Sequence, residues 1–192
     1  MAGSKAGGRK YALASALFFA VHGLVDFVIG FEYIQADPSL LVTAAIRTGM
    51  AAAVFLRNKK AVLAAAGANF LSILFFFQTN WDPQYLDWIM VLEMISYISL
   101  GVAVVCFGKG KGVFGKTWFL PGAFSLAAAL LDPGLRCYLT EWPWYDILYF
   151  YSETAALIFA GFWLKNDPSL KPAGNDAGQE WSPYAIDRNV ST

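Results

Sequence analysis

A continuous apolar run at residues 11–31, YALASALFFAVHGLVDFVIGF, constrains this chain most, because it is long enough to cross a bilayer and contains two ionisable residues. A helix needs about 20 apolar residues to cross a hydrocarbon core roughly 30 Å thick. The run holds His22, the chain's only histidine, and Asp26 four positions later. Polar groups in such a segment need partners on other segments. The run therefore predicts an uncleaved membrane helix that packs against others, rather than a signal peptide.

The composition argues against a soluble domain. Of 192 residues, 57% are hydrophobic and 15% are charged, whereas about a quarter of a typical soluble protein is charged. The formal net charge is zero, so nothing indicates a nucleic-acid partner. We expect the lipid bilayer to be the main partner and the cell membrane to be the location.

Six apolar segments predict an all-α, polytopic bundle of six transmembrane helices. They cover residues 11–31, 39–56, 61–78, 86–107, 117–131 and 144–164. The runs are continuously apolar rather than alternating, which favours helices over a β-barrel. The fifth is the shortest and is interrupted by Pro121 and Gly122. The predicted organisation is a cytoplasmic N-terminus at 1–10, a transmembrane domain at 11–164 and a flexible cytoplasmic tail at 165–192.

Charge is distributed unequally between the connections. Lysine and arginine precede the first segment and follow the second, fourth and sixth, whereas the other three connections are mainly acidic. The positive-inside rule then predicts that both termini are cytoplasmic. Each acidic connection also contains an Asp-Pro step, at 37–38, 82–83 and 132–133. This repetition favours three helical hairpins in series, although Asp-Pro is also simply a good way to start a helix.

The stretch GKGVFGKT at residues 110–117 matches the phosphate-loop pattern. That motif binds phosphate only when a strand precedes it and a helix follows within an α/β domain. Here one apolar segment precedes the stretch and another follows directly. We interpret it as a basic turn, not a nucleotide site.

Ionisable residues within the apolar segments are the main functional indication, since each costs at least about 2.5 kcal/mol at the bilayer centre. Counted from the segment ends, the midplane groups come from four different segments, and Asp26 and Glu93 lie somewhat farther out. Tyr97 and Tyr149 share helix faces with Glu93 and Glu153 through a spacing of four residues. The predicted substrate- or ion-binding residues are His22, Asp26, Arg47, Asn69, Glu93, Tyr97, Tyr149 and Glu153.

The charges of this set do not cancel. Asp26, Glu93 and Glu153 against Arg47 leave two negative charges if all are ionised. Either carboxyl groups are protonated, His22 is cationic, or a cation occupies the site. We therefore expect a protein that binds or transports a small molecule or cation, with proton or cation coupling. The alternative is a structural or stress-related membrane protein in which the same groups only fix how the helices pack.

An intramembrane enzyme that uses Glu93 or Glu153 as acid or base is a third, weaker alternative. No nucleophile motif and no cluster with metal-ligand spacing occurs, so we expect no catalytic residues, no metal and no cofactor. The predicted architecture, with an Ala12, Ala16 and Ala20 ridge, resembles the substrate-capture subunits of energy-coupling-factor vitamin transporters. The serial hairpins are similar to small acid-resistance membrane proteins. Neither resemblance supplies a motif, and both a homo-oligomer and a partner subunit stay open.

Overall fold

Six helices form the part of the chain that the structure, a computed structural model, describes. The described residues are 3–32, 39–79, 88–107, 117–131 and 144–167, and they contain no strand. The helices are α1 (Gly3–Glu32), α2 (Ser39–Phe55), α3 (Lys59–Thr79), α4 (Trp88–Phe107), α5 (Leu120–Leu131) and α6 (Trp144–Asn166). The all-helical class predicted from the sequence is confirmed over these ranges.

The helix ends depart from the predicted segments mainly outside the apolar runs. α1 begins at Gly3, within the predicted N-terminal segment 1–10. α5 has 12 residues and follows a short 3₁₀ turn at 117–119. α6 continues to Asn166, and the side chain of Asp167 is buried, where it accepts a 2.8 Å hydrogen bond from Trp163 Nε1. The predicted tail at 165–192 therefore starts as ordered structure, and its residues 168–192 lie outside the described part.

The helices pack as a closed ring in chain order. Each helix contacts the next along the chain, α6 returns to contact α1, and α4 also touches α6 across the ring. The most extensive interfaces are those of α1 with α2 and with α6. The buried core inside the ring includes Phe19, Met50, Leu100, Leu157 and Trp163. Because contacts between successive helices run round the whole ring, the grouping into three hairpins stays a prediction.

The turn between α2 and α3 shows how local sequence closes one corner of the ring. Arg57 has a left-handed φ of 53°, and the Asn58 amide donates to the Ala53 carbonyl at 3.0 Å, which is the usual ending of a helix by a reversed residue. Asn58 then caps α3, since its Oδ1 accepts from the Ala61 amide at 3.2 Å. Three residues thus reverse the chain and bring several basic side chains to one end of the bundle.

Two glycines, Gly122 and Gly161, allow α5 and α6 to pack closely against each other. A Cβ at Gly122 of α5 would lie 2.6 Å from Ile158 Cγ1 of α6. A Cβ at Gly161 would collide with the carbonyl oxygen of Trp118. These pairs, 122 with 158 and 118 with 161, show that α5 and α6 run antiparallel. The register in which α5 packs on α6 is therefore determined partly by the positions of these glycines.

We expect Gly161→Ala to lower the free energy of unfolding by about 1–3 kcal/mol, because the added methyl group must displace backbone rather than a mobile side chain. Thermal unfolding of the purified protein measures this. Gly49→Ala is the matched control, since a Cβ there meets no atom within 4 Å. Equal melting temperatures for the two variants would contradict the packing described for α5 and α6.

The distribution of polarity is inverted relative to that of a soluble protein. Large apolar side chains are exposed on all six helices, including Leu17, Phe55, Leu71, Ile98, Leu130 and Leu148. In contrast, the ionisable side chains of His22, Asp26, Arg47 and Glu153 are buried inside the ring. Soluble monomers rarely expose apolar surface so widely.

By length and composition, one helix in the described ranges is able to cross a membrane, at Gly8–Phe31. The apolar parts of three others are shorter, at Leu41–Phe55, Met90–Cys106 and Thr117–Leu131. A buried helix of a soluble protein or a signal sequence passes the same test. The membrane bundle and its topology therefore stay predictions.

Candidate functional site: a buried charge cluster

Arg47 of α2 lies at the centre of a group of buried ionisable side chains. Its Nη1 is 2.5 Å from Asp26 Oδ2 of α1, and its Nη2 is 3.8 Å from Glu153 Oε2 of α6. All three residues are at most 5% exposed. One guanidinium thus holds two carboxylates from two different helices, and a planar fork of donors is suited to this.

His22 completes the group from α1. Its Nε2 lies 3.5 Å from Glu153 Oε2 and 4.0 Å from Asp26 Oδ2. The other nitrogen of its imidazole, Nδ1, is 3.1 Å from Ser152 Oγ of α6. His22 is fully buried, so both of its nitrogens face protein groups. We call His22, Asp26, Arg47 and Glu153 the charge cluster.

Local sequence explains why these groups meet. His22 and Asp26 are four residues apart and so share one face of α1. Between them, Gly23 lets α2 approach closely, because a Cβ there would lie 2.8 Å from Thr48 Oγ1. Arg47 is flanked on its own helix face by Ala44 and by a second buried alanine at position 51, which leaves space for its long side chain. Small residues therefore surround the Arg47 side chain, which reaches from α2 to carboxylates on α1 and α6.

The α1 and α6 helices hold the other side of the charge cluster in register. Ser15 Oγ donates a 2.8 Å hydrogen bond to the Ala156 carbonyl oxygen. This pair and the pair of His22 with Ser152 show that α1 and α6 run antiparallel. Glu153 follows Ser152 directly, so the same interface positions both.

The charge cluster carries one negative charge when His22 is neutral. Asp26 and Glu153 contribute two negative charges and Arg47 one positive charge. A single proton, on His22 or on a carboxyl group, makes the whole cluster neutral. Buried charge is costly unless it is balanced, so this arrangement is suited to holding one proton.

Tyr97 of α4 lies next to the charge cluster and is 1% exposed. Its hydroxyl group lies within hydrogen-bonding reach of the Glu153 carboxylate, and Arg47 and Glu93 are also close enough to interact with it electrostatically. Among the described residues, however, neither the Tyr97 hydroxyl nor Glu153 Oε1 makes a hydrogen bond of normal geometry. Buried polar atoms are almost always hydrogen-bonded. These two oxygens therefore lie in a part of the site where the hydrogen bonding supplied by the protein is not well formed.

An apolar groove lies between α3 and α4, with a volume of about 360 Å³. Its walls include Leu63, Gly67, Phe70, Gly101 and Val105, and Tyr97 lies at its inner side. We call it the α3–α4 groove. Tyr97 thus has two neighbours, the groove along its ring and the charge cluster at its hydroxyl.

Three further residues were predicted for the site, and the structure describes the side chains of two of them. Asn69 is buried, but its Nδ2 donates to the Ala65 carbonyl of its own helix at 2.9 Å. Glu93 is only partly buried and lies close enough to Tyr97 to interact with it electrostatically. The side chain of Tyr149 lies outside the part of the chain that is described.

Ser152 is the partner that the sequence prediction missed. It contacts His22 directly, yet in the sequence it is one of several serines within apolar segments and carries no distinguishing motif. The only available indication was its position beside Glu153. In the described ranges, no group of three or more histidine, cysteine, aspartate or glutamate side chains is arranged to hold a metal ion.

Comparison with protein-family models, with curated proteins and with solved structures finds no match to this chain. The function is therefore argued from the charge cluster and its surroundings.

Proposed function

We propose that this is an integral membrane protein that binds a small solute and carries it across the bilayer, coupled to a proton held by the charge cluster. The observation that supports this most is the burial of four mutually paired ionisable groups in a ring of helices whose outer surface is apolar. In lipid, such groups are expensive and most often mark ion or substrate routes.

The distribution of basic residues supports the proposed orientation. Arg57, Lys59 and Lys60 lie at the turn between α2 and α3, while Arg9 and Lys165 lie near the place where Gly8 meets the end of α6. α1 and α2 pack together and are joined by only six residues, 33–38, so an antiparallel pair brings these basic residues to the same end of the bundle. We assign this end to the cytoplasm by the positive-inside rule.

A structural role is the second candidate, and one observation favours it. The four groups of the charge cluster contact each other directly, and the α3–α4 groove is apolar and reaches them only through Tyr97. Such a network is able to fix the packing of α1, α2 and α6 without any solute. Against this, a purely structural network is expected to satisfy all its polar atoms, and Glu153 Oε1 and the Tyr97 hydroxyl are exceptions among the described residues.

A thermal-shift screen of the purified protein against a broad panel of solutes separates the two candidates. For a solute carrier, we expect a subset of solutes to raise the melting temperature in a pH-dependent way, because solute and proton share the charge cluster. Glu153→Gln should abolish this stabilisation. If no solute stabilises the protein at any pH, and Glu153→Gln only lowers the melting temperature, the structural role is the better account.

A further inference from the structure

The chemistry of the α3–α4 groove restricts what it binds. Its walls are aliphatic and aromatic, and its volume of about 360 Å³ lies in the lower part of the range for small-molecule sites, about 300–1,000 Å³. Gly67 and Gly101 keep the groove open by lacking side chains. A compact apolar body of ten or so heavy atoms suits this space, whereas a highly polar solute would lose its hydration without replacement.

The inner side of the groove has the opposite character. Tyr97 lies between the groove and Glu153, and Tyr97 Oη and Glu153 Oε1, the two oxygens without a well-formed hydrogen bond, lie on the cluster side. Both oxygens are able to accept a hydrogen bond. A ligand that completes the site therefore brings a donor, and turning the Tyr97 ring is the movement that connects the groove with the charge cluster.

Charge complementarity determines whether the donor group of the ligand is charged. The groups that face Glu153 are His22 and Asp26 on α1, Arg47 on α2, and Tyr97 with nearby Glu93 on α4. Arg47 is already engaged by two carboxylates. The balance is one negative charge when His22 is neutral, so a monovalent cation neutralises the cluster as a proton does. The aromatic ring of Tyr97, between the groove and the charge cluster, also favours a cation.

We propose, resting on the function proposed above, that the solute is a compact hydrophobic amine in its ammonium form. Its apolar body occupies the α3–α4 groove, and its N–H groups donate to Glu153 and to the Tyr97 hydroxyl. Binding of the ammonium ion releases the one proton that the charge cluster holds, so that the buried charge stays balanced throughout the exchange.

Cys106 provides a direct test, because it lines the groove and is partly exposed. The experiment uses the full chain with Cys137→Ser, so that Cys106 is the remaining thiol, and follows its alkylation by a maleimide. The probe is 1-aminoadamantane, and the matched uncharged control is 1-adamantanol. At about ten times its dissociation constant the amine should slow alkylation by about tenfold, by simple mass action. The alcohol should have a much smaller effect.

Three further variants locate the binding. Gly67→Leu places a side chain in the groove from a position where the Cβ meets no atom within 4 Å, and it should abolish the protection. Glu153→Gln and Tyr97→Phe should each reduce protection by the amine and leave the weak effect of the alcohol unchanged. Any effect of the probe on detergent or lipid is the same for every variant and cancels in the comparison.

Three results would overturn this assignment of the solute. They are equal protection by alcohol and amine, undiminished protection in Glu153→Gln, and no protection by the amine at all. If proton binding by the charge cluster nevertheless depends on Glu153, the ligand class is wrong and the proposed proton coupling stands. If proton binding is also independent of Glu153, the proposed function fails as well.

Discussion

Arg47→Met will lower the free energy of unfolding by about 3 kcal/mol or more, the usual cost of leaving a buried charge without its partner. In the folded protein this change leaves Asp26 and Glu153 as two buried carboxylates with only His22 to balance them. Methionine has a similar length, so the loss of packing is small. Thermal or denaturant unfolding in a fixed detergent measures the effect.

A second substitution distinguishes lost charge balance from lost packing. Adding Asp26→Asn to Arg47→Met leaves Glu153 facing His22, and a protonated His22 then neutralises it. We expect the double variant to recover most of the lost stability, which an additive model does not predict. Arg9→Met, at an exposed arginine, is the control and should change little. If Arg47→Met is as mild as Arg9→Met, Arg47 does not hold the two carboxylates together.

The second large effect concerns pH. With His22 neutral, the wild-type charge cluster is balanced only when it holds a proton, so stability should fall as the pH rises and the proton is lost. Glu153→Gln leaves Asp26 paired with Arg47, which is neutral without a proton. Between about pH 5 and pH 8, where histidine normally titrates, we expect the wild type to become less stable as the pH rises. Glu153→Gln should instead become more stable, because its folded state keeps His22 neutral while the unfolded chain still binds a proton there at low pH.

Glu93→Gln is the matched control for this prediction, because it also removes one carboxylate from an apolar helix, whereas the contacts with Arg47 and His22 described above are those of Glu153. It should retain the wild-type dependence of melting temperature on pH. Identical pH profiles for wild type, Glu153→Gln and Glu93→Gln would show that the charge cluster does not titrate in this range.

The positions of the helices were largely predictable from the sequence. The rotation of each helix about its axis, which decides which side chains point into the bundle, was not. The apolar run at 86–107 predicts α4 almost to its ends, Trp88–Phe107. Such runs are apolar all round, however, so no polar stripe indicates how each helix is rotated about its axis. Glu93 and Glu153 each precede a glycine by eight residues, and the sequence distinguishes them only by a small difference in depth. Tertiary packing decides that Glu153 points into the charge cluster, where it contacts His22 and Arg47, and that Glu93 lies near Tyr97.

The part of the site that was predicted rests on short-range geometry. His22 and Asp26 share a face because they are four residues apart, and the small neighbours of Arg47 indicate a side chain that reaches across. Asn69 was placed in the site by depth alone, and its Nδ2 donates to the carbonyl of Ala65 in its own helix. Depth along a helix follows from counting residues, but direction around the axis follows from contacts such as that of Gly23 with Thr48.

Counting protons on the folded protein tests the central claim most directly. Hydrogen-ion titration of the purified chain in lipid nanodiscs, between about pH 5 and pH 8, should show that the wild type releases one proton more than Glu153→Gln does. That difference is the proton which the charge cluster needs for neutrality. Superimposable titration curves for the two proteins would contradict a proton-holding cluster and leave His22, Asp26, Arg47 and Glu153 with a structural role.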